Sequence, residues 1–255
     1  MVLTDTHTHF YYETDAAKQA EMLQRCLDNQ ISRLFLPNVD ATSVGLMFNL
    51  VDRWPENFFP MLGIHPCDVK ENWEAELAQI KALGVGRKIY AIGEIGIDLY
   101  WDKTFLPQQL QAFEQQINWA KELNLPIVIH CRDAFDETYE VLQRLNDDKL
   151  RGIFHCFSGT VEQAQQIIDL GFYLGIGGVV TYKNAGLDKV VQQIDLKHLV
   201  LETDSPYLTP VPFRGKPNES SYLRYVAEKI ADLHQVDVAE VARVTTENSK
   251  SIFAI

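Results

Sequence analysis

Eight short runs of apolar, largely β-branched residues, separated by longer amphipathic stretches, constrain this chain more than any other feature. The runs are Val2–Thr6, Arg33–Asn38, Phe59–Gly63, Ile89–Gly93, Ile127–Ile129, Gly152–Phe154, Tyr173–Gly177 and Leu199–Glu202. Between them, Ala16–Asp28, Leu106–Leu123, Ala134–Leu145 and Val161–Leu170 carry helical spacing. The last of these stops at Gly171, a residue suited to a helix C-terminus. Several runs are almost continuously apolar, as expected of a parallel sheet covered by helices. Pro126 suits the first position of a strand, where no ladder donor is needed. Eight such units in 255 residues predict an α/β fold, a (β/α)8 TIM barrel, in preference to an open doubly wound sheet. Ser220–His234 supplies the eighth helix, and Ala239–Phe253 reads as one or two appended C-terminal helices. With no linker or low-complexity segment, the barrel is expected to take up residues 1–255 as one unit.

A chain of this length folds to roughly 11,000 Å² of accessible surface, which leaves ample core without a disulfide or metal staple. The four cysteines, Cys26, Cys67, Cys131 and Cys156, form no C-x-x-C pair. Met1–Asp5 shows no basic leader region, and no run approaches eighteen apolar residues, so a cytoplasmic protein without a membrane segment is expected. Lys plus Arg total 23 against 35 for Asp plus Glu, a net charge of −12. That balance argues against a broad duplex-binding surface and permits a nucleic acid held at a small site. Nothing in the sequence assigns an oligomeric state.

Five of the seven histidines fall at the C-terminal ends of predicted strands: His7 and His9, His65, His130, and His155. Glu94 closes the fourth run, and Glu202 and Asp204 close the eighth. In a (β/α)8 barrel those ends form one rim, where active sites sit. Residues two apart on a strand face the same side, so His7 and His9 can reach one ion. His130 and His155 are each followed by a cysteine, which the same alternation turns outward against helices. Glu94, among glycines in Gly93-Glu94-Ile95-Gly96, suits a bridging ligand or a capping acid. Asp98 suits a ligand-orienting, substrate-contacting or capping role. Asp204 is the candidate metal ligand and general base, and Glu202, one layer deeper, would orient a histidine. Two divalent ions carry +4. Glu94, Asp204 and a hydroxide supply −3, which leaves room for one anionic phosphodiester. A carbonyl substrate polarised by the metals fits the same donors. Nitrogen and oxygen donors suit Zn²⁺, Mn²⁺, Co²⁺ or Mg²⁺, and such ions acidify a bound water and clamp an electrophile.

At this point the residues resemble the TatD family of metal-dependent deoxyribonucleases, within the amidohydrolase-like barrels. The resemblance rests on Asp5-Thr6-His7-Thr8-His9, Gly63-Ile64-His65-Pro66, Gly93-Glu94-Ile95-Gly96-Ile97-Asp98, His130-Cys131-Arg132-Asp133-Ala134 and His155-Cys156-Phe157-Ser158-Gly159. It rests most on Glu202-Thr203-Asp204-Ser205-Pro206-Tyr207-Leu208, with Arg214-Gly215-Lys216-Pro217-Asn218-Glu219 after it. It implies one metal held by His7, His9, Glu94 and Asp204, and a second held by Glu94, His130 and His155. It implies that His65 reaches the scissile phosphate, with Arg132, Arg214, Lys216 and Tyr207 as substrate contacts. The implied activity is cleavage of DNA from an end, on single-stranded or end-frayed substrate, with Asp204, His65 and Glu202 as the catalytic set. A metal-dependent esterase, lactonase, amidase or aminoacyl-tRNA deacylase is the alternative on the same barrel. One departure stands out: many members follow H-x-H with Leu-Asp, and this chain has Phe10-Tyr11-Tyr12. Those aromatics, with Tyr100, Trp101 and Phe213, would stack a base, narrow the mouth or pack the loops.

Overall fold

Strand and helix alternate along the whole computed structural model, which describes residues 2–255. The order is β1 (Leu3–Asp5), α1 (Ala16–Asp28), β2 (Ile31–Pro37), α2 (Ala41–Arg53), β3 (Phe58–Met61) and α3 (Trp73–Leu83). Then follow β4 (Ile92–Asp98), α4 (Leu106–Leu123), β5 (Ile127–Arg132), α5 (Phe135–Leu145), β6 (Gly152–Phe154) and α6 (Val161–Asp169). The chain finishes with β7 (Tyr173–Ile176), α7 (Leu187–Val191), β8 (Leu199–Leu201), α8 (Leu223–His234) and α9 (Val238–Phe253). The accessible surface, 11267 Å², agrees with the size-based expectation.

All strand pairs are parallel, in one sheet ordered β1-β2-β3 and a second ordered β4-β5-β6-β7-β8. Two seams join them into a (β/α)8 barrel. At the first, Leu62 pairs with Ile92, and Gly93 N donates to Leu62 O at 2.9 Å. At the second, Thr8 pairs with Ser205. There Thr6 N donates to Leu201 O and Asp204 N to His7 O, both at 2.9 Å.

Side-chain alternation sorts the strands into an inner and an outer face. Phe35, Met61, Ala91, Val128, Ile153 and Val200 cluster inside with Ile252 and Phe253, and the Phe253 ring stacks on Phe35 at 3.8 Å. Thus the end of α9 plugs the barrel interior. Ile127, Ile129, Phe154, Leu199 and Leu201 join the larger core beneath the helices. Continuing the two-residue period from Val128, Ile153 and Val200 puts His130, His155, Glu202 and Asp204 on the inner side.

The expected α1, α4 and β6 agree with the structure residue for residue. The eighth helix is a 3-10 turn at Ser220–Tyr222 followed by α8, and a single C-terminal helix, α9, follows it. One strand needs correcting. The fourth run was expected over Ile89–Gly93 with Glu94 just beyond it, but β4 covers Ile92–Asp98. Glu94 therefore sits inside a strand whose ladder to β5 skips from Ile92 to Ile95 and then continues to Asp98 against Arg132. Its glycines and acids resemble a loop in sequence, yet every residue from Ile92 to Asp98 is buried.

Candidate metal centre

Glu94 stands between two groups of histidines, one at each carboxylate oxygen. Its Oε2 lies 3.2 Å from His7 Nε2 and 3.7 Å from His9 Nε2. Asp204 Oδ1 completes that group, 3.7 Å from His7 Nε2 and 3.6 Å from His9 Nε2. On the other side, Glu94 Oε1 lies 2.9 Å from His130 Nδ1, 3.0 Å from His155 Nε2 and 3.5 Å from His65 Nε2. The donor atoms of His7, His9 and Glu94 fall within 4.8 Å of one another, as do those of His65, Glu94 and His130. His7, His155 and Asp204 form a third such set, and the His7 and His155 rings stack at 3.7 Å. These residues come from six of the strands or the segments that follow them, spread over most of the chain.

Each group is held from behind. Asp98 Oδ2 sits 2.8 Å from His130 Nε2, while its Oδ1 accepts from Tyr100 N and Trp101 N. Asp98 thus orients a histidine and caps a turn at once. Glu202 Oε1 lies 3.2 Å from His155 Nδ1 and accepts from Cys156 N. His65 Nδ1 accepts from Cys67 N at 3.0 Å, so a neutral His65 carries its proton on Nε2, facing the cavity. His9 Nδ1 lies 3.0 Å from Tyr11 Oη.

Helix α4 supplies a support that the hydrophobic pattern did not reveal. Gln109 accepts from Asp98 N and donates to Asp98 O, at 2.9 and 3.1 Å. Gln116 does the same to Ile64, the residue before His65, at 2.8 and 3.4 Å. The available signal was a pair of glutamines seven apart on the buried face of an amphipathic helix. Asn38 likewise accepts from Gly63 N through its side chain and from Glu94 N through its carbonyl.

Burial is the largest single influence on Glu94 and would raise its pKa. His155, His7 and His65 together outweigh it, and the carboxyl is held well below the usual range. Burial similarly opposes the ionised form of Asp204, but His9, His155 and His7 pull its pKa down. Asp98 reaches about 2, because His130 and the two backbone donors outweigh its burial. His155 is the counterpart: burial disfavours its charge, yet Glu94 and Glu202 raise its pKa well above the ordinary value. Burial and the neighbouring His155 lower His7. Three ionised carboxylates thus face the cavity while His155 holds a proton between two acids.

The donor set fits divalent cations. Both ring nitrogens of His7 are buried without a hydrogen-bond partner, and Nε2 points into the carboxylate group. An orphaned imidazole costs free energy unless something else accepts its lone pair. Nitrogen and carboxylate oxygen atoms suit Zn²⁺, Mn²⁺ or Co²⁺. No cysteine joins the candidate groups among the described residues. Burial pushes the Cys131 thiol up to about 11 and Cys67 to about 12, away from the thiolate a metal needs.

The groups open into a cavity of about 490 Å³ that Arg132, Tyr12, Trp101 and Tyr207 also line. The Arg132 guanidinium lies over the Tyr100 ring at 3.8 Å. Arg214 and Lys216 do not line this cavity. Arg214 stacks on Tyr182 and donates to its hydroxyl, and Lys216 lies over Phe213. Phe10 and Tyr11 are buried beneath the rim, and Phe10 packs edge-on against Phe58, so only Tyr12 of that segment reaches the cavity.

Comparison with known proteins bears on this geometry. The sequence model of the family described as TatD related DNase matches residues 4–254. The chain is 40% identical over 255 residues to the uncharacterized metal-dependent hydrolase YabD of Bacillus subtilis (strain 168), with full coverage of both chains. It is 33% identical over 263 residues to the uncharacterized metal-dependent hydrolase YcfH of Escherichia coli (strain K12), covering 100% of this chain and 97% of that one. The crystal structure of YjjV, a TatD homolog from Escherichia coli K12, superposes with a TM-score of 0.92 at 27% identity, over 99% and 98% of the two chains. A TatD family hydrolase from Entamoeba histolytica, at 21% identity and a TM-score of 0.85 over 99% and 98%, shares the fold.

Proposed function

The chain belongs to the family of TatD-related DNases, and from that premise we propose that it is a divalent-metal-dependent hydrolase that cleaves DNA phosphodiester bonds from an end. The observation that carries this reading is Glu94, which offers one oxygen to His7 and His9 and the other to His130 and His155. Such a carboxylate would help hold one cation with His7, His9 and Asp204 and another with His130 and His155. The relatives' description as metal-dependent hydrolases supports the same reading. Zn²⁺, Mn²⁺, Co²⁺ and Mg²⁺ are the candidates. When bound, two such ions supply an acidified water and a clamp on the phosphoryl oxygens.

The protein's own groups do the rest. Asp204, ionised beside His7 and His9, takes the proton of the attacking water. His65 presents an Nε2 proton to a phosphate oxygen, and Glu202 holds His155 in place. Among the described residues Arg132 is the one arginine or lysine lining the cavity, placed to meet a phosphate of the strand. Tyr12, Trp101 and Tyr207 are exposed at the rim and suit stacking on unpaired bases. A chain of net charge −12 with one such arginine at the mouth favours a single strand or a frayed end over intact duplex. Of the Phe10-Tyr11-Tyr12 segment only Tyr12 lines the cavity, so that segment does not form an apolar pocket of its own there. Four unpaired cysteines support a reducing, cytoplasmic setting.

The test strips the metal, restores Zn²⁺, Mn²⁺, Co²⁺ or Mg²⁺ singly, and compares end-labelled single-stranded DNA, duplex DNA, RNA and an ester and amide panel, with H7A as control. Single strands should shorten from one end, and R132A should raise KM for DNA roughly tenfold, the worth of one charge-assisted contact. Hydrolysis of a carboxylic ester or amide by a metal-replete protein that leaves DNA intact overturns the reading.

A further inference from the structure

Tyr11 buries its whole side chain, with 1% of its surface exposed, directly behind His9. Its hydroxyl donates to the carbonyl of Pro37, the last residue of β2, at 2.6 Å. A phenol has one proton to give, and that bond uses it. Toward His9 Nδ1, 3.0 Å away, the same oxygen can only accept. The proton of a neutral His9 ring must therefore sit on Nδ1. That leaves the Nε2 lone pair aimed between Glu94 Oε2 and Asp204 Oδ1, at 3.7 and 3.6 Å.

We propose that Tyr11 is a positioning residue: the relay from the Pro37 carbonyl through the Tyr11 hydroxyl locks His9 in the tautomer and orientation that ligate a cation through Nε2. The proposal rests on the reading of His9 as a ligand. It gives His9 by a neutral phenol what Asp98 gives His130 and Glu202 gives His155 by carboxylates. It also assigns the central residue of the unusual Phe10-Tyr11-Tyr12 segment to the metal centre. Phe10, by contrast, packs in the core and Tyr12 faces the cavity. Because Pro37 belongs to β2, the aim of a histidine in the segment after β1 is set by the neighbouring strand.

Two measurements test it. In chelator-treated protein with ¹⁵N-labelled histidines, imidazole nitrogen shifts at mildly alkaline pH should show His9 protonated on Nδ1. In Y11F, which keeps the buried ring, they should show a mixture of tautomers. His9 protonated on Nε2 in the unsubstituted protein, or an unchanged His9 in Y11F, overturns the proposal without touching the reading of the site. In calorimetric titration with Zn²⁺, Y11F should weaken one of two binding steps by about 10–100-fold and leave the other within about twofold. Equal weakening of both steps would mark Tyr11 as a general structural residue and also overturns the proposal. H9A separates the two ideas: if it leaves both steps intact, His9 is no ligand and the reading of the site fails first.

Discussion

Replacing Glu94 by glutamine keeps the shape of the side chain and turns one of its two acceptor oxygens into an NH2 donor. The surroundings decide which end turns. Asp98 holds His130 Nε2 at 2.8 Å, and Glu202 Oε1 lies 3.2 Å from His155 Nδ1, so neutral rings place their protons on those atoms. His130 Nδ1 and His155 Nε2 then present lone pairs, 2.9 and 3.0 Å from the position of Glu94 Oε1. Two lone pairs stand on that side against the single one of His9 Nε2 on the other, farther away at 3.7 Å, so the amide NH2 of E94Q should face His130 and His155. Elemental analysis after saturation and dialysis should find about one divalent ion per chain in place of two. The His130–His155 side should be the one lost. Loss of one preorganised stabiliser of developing charge lowers kcat by at least about 10²-fold. Stability has its own magnitude. Glu94 and a protonated His155 at 3.0 Å attract by roughly 5 kcal/mol at an effective dielectric near 20. His155 can shed its proton once the carboxylate is gone, so the metal-free variant should lose on the order of 3 kcal/mol, several degrees in thermal midpoint. Retention of two ions at unchanged affinities would refute the shared carboxylate, whatever happens to turnover.

Metal uptake should depend on pH with a defined sign. His155 in the metal-free protein holds its proton well above the ordinary histidine value, against Glu94 and Glu202. Its contribution to stability is complete below that ordinary value and is lost as pH rises through the raised one. Cations must displace this proton and that of His130, whose pKa is also raised because Asp98 and Glu94 outweigh its burial, so affinity climbs with pH and about one to two protons are released. Zn²⁺ titrations in two buffers of different ionisation enthalpy measure that release, and equal heats would contradict it. In the scaffold, Gly96 lies at φ +142 and a Cβ there would overlap the His130 carbonyl oxygen. G96A should cost about 3 kcal/mol or more in denaturant unfolding. Gly45 in α2 has nothing within 4 Å, and G45A should stabilise by up to about 1 kcal/mol. Equal effects of the two would undo the steric argument.

The barrel was legible because its signal is periodic. Val128 and His130 share a side, Ile129 and Cys131 the other, and two-residue alternation alone separates them. The convergence of His7, His65, Glu94, His130, His155 and Asp204 followed from placing each near a strand end. What escaped has no period. The extent of β4 is hidden in the sequence because Glu94-Ile95-Gly96-Ile97-Asp98 resembles a loop until β5 supplies its ladder partners. Gln109 and Gln116 act through side-chain amides on the backbone of other elements, and Tyr11 acts through a carbonyl on β2. Such contacts depend on three-dimensional proximity that composition does not carry. Arg214 and Lys216 belong to an irregular loop between β8 and α8, where no alternation says which side chains turn inward.

The two seams of the barrel divide the candidate ligands. The three-stranded piece carries His7, His9 and His65, and the five-stranded piece carries Glu94, His130, His155 and Asp204. At one seam a single parallel bridge, Leu62 to Ile92, runs below His65 and Glu94; at the other, Thr8 and Ser205 lie beside His7 and Asp204. Any cation shared by His7, His9, Glu94 and Asp204 would therefore act as a rivet between two half-barrels. Its coordination bonds would span the two places where an isolated bridge, not a continuous strand pairing, joins the sheets. Chelation should then loosen amide protons along both seams before those in the middle of either sheet, and metal bound for chemistry would also help hold the barrel closed.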